Sequence, residues 1–240
     1  MRILILMTNT DVSDFAEAHP KDGEKFATFF SRARPEWEYD VFSVKDGVFP
    51  ESIEAYDAAA ITGSPASVHD GETWIAQLEG LIREMHVAQM PMFGACFGHQ
   101  VIATALGGAV GPNPKGWVFG AVTTKFLPED RDVNLFAAHK EQVVGLPEGA
   151  RVVARTQDCP IAGYRIAEHI LTTQYHPEMT PAFFAALVEE LRGELGDAIC
   201  DKAESTLGLN VDMESLARWA AAFFEDRLKA RAADCRETRV

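Results

Sequence analysis

The chain has 240 residues, a hydrophobic content of 47% and a formal net charge of −14 from 22 basic and 36 acidic side chains. That length can bury one good core, and the acidic balance argues against a nucleic-acid partner, because phosphate-binding proteins gather Lys and Arg on one face. No apolar stretch reaches the roughly 20 residues of a membrane span, and the first apolar run is too short for a signal peptide, so a cytoplasmic protein without membrane contact is expected.

Short runs rich in β-branched residues alternate with longer amphipathic ones, the pattern of parallel strands covered by helices. Residues 3–7 read as the first strand. The spacing of Phe26, Phe29 and Phe30 predicts a helix over 23–34, which Pro35 ends. Strands follow at 39–44 and 58–62, then the turn residues Gly63-Ser64-Pro65 and a long amphipathic helix over 72–89. An apolar run at 90–93 enters the heptapeptide GACFGHQ at 94–100, and a helix-like stretch, 101–106, leaves it.

Residues 111–116 look like a turn. Residues 118–126 and 161–175 are strand-like and more antiparallel in character, with turn signals at Pro128 and Pro147 between them. Helices are predicted over 181–195 and 212–230, and the charged end, 231–240, is expected to fray. The fold class is therefore α/β: a doubly wound, mostly parallel sheet with helices on both faces, a small antiparallel portion and a helical C-terminal extension. Residues 1–180 form the body, and 181–240 the extension packed on it.

Cys96, Cys159, Cys200 and Cys235 have neither the paired spacing of a zinc site nor the density of a disulfide scaffold, and three of them read as inert thiols. Cys96 differs. A strand that turns sharply into a helix, with Gly94 and Gly98 near the thiol, has the outline of a nucleophile elbow. Helix-end N–H groups and a nearby imidazole favour the thiolate there. A small buried core residue is the alternative reading of a lone cysteine.

His176, in Gln174-Tyr175-His176-Pro177-Glu178, follows the strand-like run 170–173. Ends of parallel strands gather at one sheet edge, so Cys96 and His176 can be neighbours. Glu178 is placed to accept the imidazole's other N–H across the stiff proline. His-Pro-Glu also reads as a capped loop before a helix. His99 reads as a packing residue, and His19, His69, His86 and His169 as surface or capping residues. Neither a phosphate loop nor a zinc-deaminase cysteine pair is present, and no metal or cofactor is expected.

GACFGHQ with a downstream YHPE resembles the class I glutamine amidotransferase family, whose pattern is Gly-x-Cys-x-Gly-His-Gln followed by His-Pro-Glu. The resemblance covers about residues 1–178 and is to a stand-alone member, similar to the glutaminase domain of GMP synthetase. It implies a triad of Cys96 as nucleophile, His176 as general base and acid, and Glu178 as orienting carboxylate, cleaving glutamine's side-chain amide through a γ-glutamyl thioester. It further implies an oxyanion hole from the backbone N–H of Phe97 and the turn at Gly63 and Ser64, where the family usually reads Gly-Gly-Pro. Gln100 would hold the substrate. His139, Lys140 and Glu141 stand where the family has a pocket-bordering Ser-His-Gly-Asp, with Ala138 and Lys140 departing from it.

No Ser-Gly-Gly-x-Asp-Ser nucleotide loop occurs, so the ammonia would pass to a separate synthetase. Phe97 and the stretch Asn113-Pro114-Lys115-Gly116-Trp117 look like stand-alone members, which leaves a γ-glutamyl peptide or amide hydrolase as the alternative. A catalytically silent binding module is the third reading.

Overall fold

The computed structural model describes residues 1–127 and 129–237, with side chains through Ala230. β1 (Arg2–Met7) leads through the short α1 (Asp14–Ala18) and α2 (Asp22–Ser31) to β2 (Glu38–Ser43). A loop with one 3-10 turn precedes β3 (Ala58–Ile61), α3 (Thr73–Val87), β4 (Met92–Ala95) and α4 (Phe97–Ala105). Then come β5 (Ala109–Pro112), β6 (Val118–Phe126), β7 (Arg131–His139), β8 (Glu141–Gly145), β9 (Ala150–Arg155), β10 (Gly163–Ile166) and β11 (Ile170–Thr173). Three helices follow: α5 (Pro181–Leu195), α6 (Asp197–Glu204) and α7 (Met213–Glu237).

The large sheet has the order β2-β1-β3-β4-β11-β10-β9-β6-β7. Its first five strands are parallel and the last four antiparallel, while β5 and β8 form a separate antiparallel ribbon. β1 shows why both faces are covered. Successive side chains leave a strand on opposite sides, and here every central position is apolar. Ile3 and Ile5 pack with Phe26, Phe29, Phe30 and Phe224 of α2 and α7, whereas Leu4 and Leu6 pack with Ile75, Leu78, Phe97 and Val101 of α3 and α4.

The C-terminal helices are part of this packing. α7 lies against α2 through stacked Phe30 and Phe224 rings, 5.4 Å apart, and an Arg34–Glu225 ion pair. α5 and α6 cover β6 and β7, where Phe136 and Phe184 stack at 4.4 Å. Among the described residues no helix is long and apolar enough to cross a membrane.

Several expectations need correction. The strand-like run 161–175 is broken at residues 167–169, where β10 turns back into β11 with Ala167 at φ 46°. The turn expected at 111–116 begins inside β5. Residues 231–237 continue α7 as helix instead of fraying, in keeping with their alanines. His169 is fully buried, not a surface residue, and lies 2.9 Å from His86. Pro128 and residues 238–240 lie outside the described residues.

At the centre, β4 ends against the start of α4, and the backbones touch. A Cβ added to Gly98 would stand 2.3 Å from the carbonyl oxygen of Ile61 in β3. No rotamer relieves that overlap, because both atoms belong to elements fixed by packing on two sides. Gly98→Ala is expected to lower stability by about 1–3 kcal/mol. Urea denaturation of the variant beside the parent measures it, and an unchanged midpoint would show that the elbow can relax.

Candidate active site

Cys96 sits between β4 and α4 with φ 50° and ψ −106°. A non-glycine residue in such a conformation costs about 1–3 kcal/mol and persists only where its surroundings enforce it. They do so here by two hydrogen bonds. Its own N–H donates to the Thr173 carbonyl at 2.9 Å, and that of Gly98 donates to the Thr62 carbonyl at 3.0 Å. Cys96 is thereby held at the carboxyl edge of β3, β4 and β11, 5% exposed.

β11 delivers the histidine to the same edge. The His176 backbone N–H donates to the Phe136 carbonyl of β7 at 2.9 Å, which fixes the residue across the sheet. Its Nδ1–H donates to Glu178 Oε1 at 2.7 Å, leaving Nε2 for the thiol. Burial works against a charged ring, but the Glu178 carboxylate and Cys96 outweigh it and hold the imidazole's pKa well above its ordinary value. Glu178 is itself 5% exposed, so little water screens the pair.

The turn after β3 closes the site. A Cβ at Gly63 would stand 2.9 Å from His176 Cε1 and 3.5 Å from Cys96 Cβ, so Gly63 lies directly against both. The Thr8 hydroxyl, 3.0 Å from the carbonyls of Thr62 and Gly63, anchors this turn to the end of β1. Ser64 keeps its backbone N–H, and its Oγ accepts the Ala66 N–H at 3.2 Å. The substituent that departs from the family's glycine is thus used within the loop. Phe97 is the first residue of α4, where a helix has no internal partner for the N–H.

Gln100 is buried and donates to the Glu141 carbonyl at 2.9 Å and to Gln174 Oε1 at 3.2 Å. Gln174 in turn points its amide at Cys96 Sγ, 3.8 Å away. No role follows for Gln174 from its place in the motif alone. Its signal in the sequence is an amide within an apolar strand end, since a buried amide requires partners. Thr8 is the other residue whose place emerges only in the fold.

His139 is buried, donates from Nδ1 to the Glu141 carbonyl at 2.9 Å, and has no partner for Nε2 among the described residues. Burial, with some repulsion from His176, brings its pKa down to about 4. Lys140 is exposed, its ammonium 5.8 Å from the centre of the Trp117 ring. His99, fully buried against Thr172 and Tyr164, packs as expected, with burial bringing its pKa down to about 3. Of these, Gln174 lies beside the Cys96 thiol, with Gln100 behind it.

His176→Asn is expected to leave the fold intact and suppress alkylation of Cys96 by iodoacetamide at neutral pH. Peptide mapping reads this, and unchanged labelling would remove the imidazole as the activating group. A second expectation concerns acid. His139 binds a proton near its ordinary value of 6.5 when unfolded but only near about 4 when folded, so stability falls as pH drops through that window. His139→Gln removes up to about 1.4 kcal/mol per pH unit of that loss, measurable by urea denaturation from neutral to acid pH. His176 has the opposite sign: its contribution is full below 6.5 and is lost as pH rises through its raised folded value.

Residues 36–189 match the family described as Glutamine amidotransferase class-I. A Saccharomyces cerevisiae protein named "Putative glutamine amidotransferase" is 38% identical over 155 residues, 59% of this chain and 62% of that one. Gamma-glutamyl peptidase 2 of Arabidopsis thaliana is 30% identical over 182 residues, 70% of this chain and 73% of that one. The glutamine-hydrolyzing GMP synthase of Porphyromonas gingivalis is 30% identical over 200 residues, 70% of this chain but only 38% of the synthase. A glutamine amidotransferase structure from Methylobacillus flagellatus shares the fold, with a TM-score of 0.72 at 23% identity over 95% of this chain and 93% of that one. With the elbow, the turn at Gly63 and Ser64 and the His-Pro-Glu segment all inside the matched residues, the chain belongs to the class-I glutamine amidotransferase family of cysteine-dependent enzymes.

Proposed function

We propose that the chain cleaves the amide bond of a γ-glutamyl group through a thioester on Cys96. The observation that carries this reading is the buried His176–Glu178 hydrogen bond of 2.7 Å, which fixes the tautomer and turns the other ring nitrogen toward the thiol. His176 takes the thiol proton as Cys96 attacks the γ-carbonyl carbon, then gives it to the departing nitrogen. Water, deprotonated by the same ring, breaks the thioester, and glutamate leaves with Cys96 protonated again. The N–H groups of Phe97, Gly63 and Ser64 hold the oxyanion, each donor worth roughly a hundredfold or more in rate. Gln100, His139 and Lys140 hold the γ-glutamyl substrate, with Gln174 aligning Gln100 against the nucleophile.

With glutamine as substrate the leaving group is ammonia, passed to a separate synthetase, and the likeness to GMP synthase supports this reading. One observation favours the second reading, a γ-glutamyl peptide. Lys140 beside the Trp117 ring offers a cation which, at the pocket border that the family resemblance implies for it, suits the carboxylate of a peptide leaving group and has nothing to pair with on ammonia. The helices α5, α6 and α7 serve in either case as a packed cover of the sheet, in a cytoplasmic protein that contacts neither nucleic acid nor membrane.

The assay incubates the full chain with glutamine and with γ-glutamyl dipeptides, and measures ammonia, amine and glutamate beside Cys96→Ala. Turnover is expected to fall by about a thousandfold or more without the nucleophile. Lys140→Gly is expected to reduce kcat/KM for the dipeptide more than for glutamine, by about three- to tenfold. Equal turnover by Cys96→Ala would remove the mechanism, and equal losses on both substrates would remove the second reading.

A further inference from the structure

A backbone carbonyl and two buried amides form a chain of hydrogen bonds that ends at the Cys96 sulfur. The Glu141 carbonyl accepts from Gln100 Nε2 at 2.9 Å. The same nitrogen donates its second proton to Gln174 Oε1 at 3.2 Å, and Gln174 Nε2 stands 3.8 Å from Cys96 Sγ. Gln100 is 4% exposed and Gln174 not at all, so little water competes for these groups.

The direction of the chain is fixed from one end. A primary amide has two donors on nitrogen and acceptors only on oxygen, so its orientation follows from what it faces. A backbone carbonyl can only accept, which turns the NH2 of Gln100 toward Glu141. Because that nitrogen also faces Gln174, the near atom of Gln174 is its oxygen. One arrangement is left for Gln174: oxygen toward Gln100 and N–H toward the sulfur. With the amide turned over, two NH2 groups would meet and a carbonyl oxygen would face the sulfur.

The backbone holds Gln174 at this spot as well. Its N–H donates to the Ala162 carbonyl at 2.8 Å, and the carbonyl of the preceding Thr173 accepts from the Cys96 N–H at 2.9 Å. Amide and thiol therefore hang from one joint between β11 and the elbow. Tyr175 turns into the core, its hydroxyl 2.9 Å from that of Thr156, and the next residue, His176, is held protonated in part by Cys96. Gln174 and His176 thus approach the sulfur from a single segment.

We propose that Gln174 is a further catalytic residue whose amide N–H donates to the Cys96 sulfur and stabilises the thiolate, and that Gln100 is the positioning residue that keeps this N–H turned toward it. This deepens the reading of Cys96 as nucleophile and rests on it. The thiol proton goes to His176 Nε2, and the charge left on sulfur faces a cation and an amide dipole. A hydrogen bond to an ionised partner is roughly twice as strong as one between neutral groups, so Gln174 favours the thiolate over the thiol. The bond weakens while sulfur is tied to the γ-carbonyl carbon and strengthens again as the thioester breaks and sulfur leaves. Gln100 thereby has a task that needs no substrate.

Iodoacetamide labelling of Cys96 in the full chain at pH 7, without substrate, tests this, because the thiolate is the reacting form. Gln174→Met loses the donor at similar volume and is expected to label about three- to tenfold more slowly than the parent. Gln174→Glu keeps an acceptor for Gln100 but sets an oxygen against the sulfur, and is expected to label at least as slowly. Gln100→Glu, as a carboxylate, accepts from Gln174 and turns its amide over, so it too is expected to slow labelling about three- to tenfold, although the Gln100 side chain is bonded to Glu141 and Gln174 and not to the sulfur. A loosened site would uncover the thiol and speed labelling, so slowing is not the mark of structural damage, and circular dichroism checks the fold. Labelling at the parent rate or faster by the folded Gln174 variants overturns the catalytic role, and the same result for folded Gln100→Glu overturns the positioning role. Suppressed labelling in His176→Asn beside unchanged Gln174 variants would remove Gln174 alone, whereas turnover retained by Cys96→Ala would remove the reading beneath it.

Discussion

The contact on which the site depends is the meeting of two backbones, where the Gly98 N–H donates to the Thr62 carbonyl while its missing Cβ lets α4 pass over the end of β3. That approach sets the angle at which α4 leaves β4, and with it the strained conformation of Cys96. The strain is small against the packing that opposes its release. Phe97 and Val101 lock α4 to one core cluster, while Ala95 and Phe93 lock β4 to the other. Cys96 is thus held by the two apolar faces of the sheet together with its own N–H bond to the Thr173 carbonyl.

The same close approach assembles the polar parts. Thr62 binds Thr8 through its hydroxyl and carbonyl, so the turn after β3, the end of β1 and α4 share one hydrogen-bond network. From the other direction Phe136 of β7 fixes His176, and the antiparallel half of the sheet thereby supports a residue that the parallel half presents. Charge adds to this geometry. In a compartment nearly closed to water, Glu178 keeps His176 readily protonated, whereas His99 and His139, buried without such a carboxylate, stay neutral. Three nearby imidazoles therefore differ in proton affinity because of what each one faces.

The C-terminal helices take part in the site's surroundings as well as in the core. α5 starts three residues after Glu178, and its first turn forms one wall of a cavity that Glu178 also lines, with α2 as the other. α7 holds α2 in place through the Phe30–Phe224 stack and the Arg34–Glu225 pair. α2 and α5 are thus held by packing at a distance from the candidate site.

The candidate site of Cys96, His176 and Glu178 is legible in the sequence, because the elbow and His-Pro-Glu each need specific residues at fixed short spacing. The strands of the parallel half are legible too, since a strand buried on both faces must be apolar throughout, as β1, β3 and β4 are. The tertiary structure alone decided the rest. Gln174 and Thr8 have places at the site only because strands far apart in sequence end at one edge, and a local pattern cannot encode that meeting. The break between β10 and β11 was hidden because both strands are apolar and the turn at Ala167 lacks the usual glycine. The cavity that Glu178 lines is set by α1, α2, α5 and α7 packing together, a relation between surfaces that no run of residues contains.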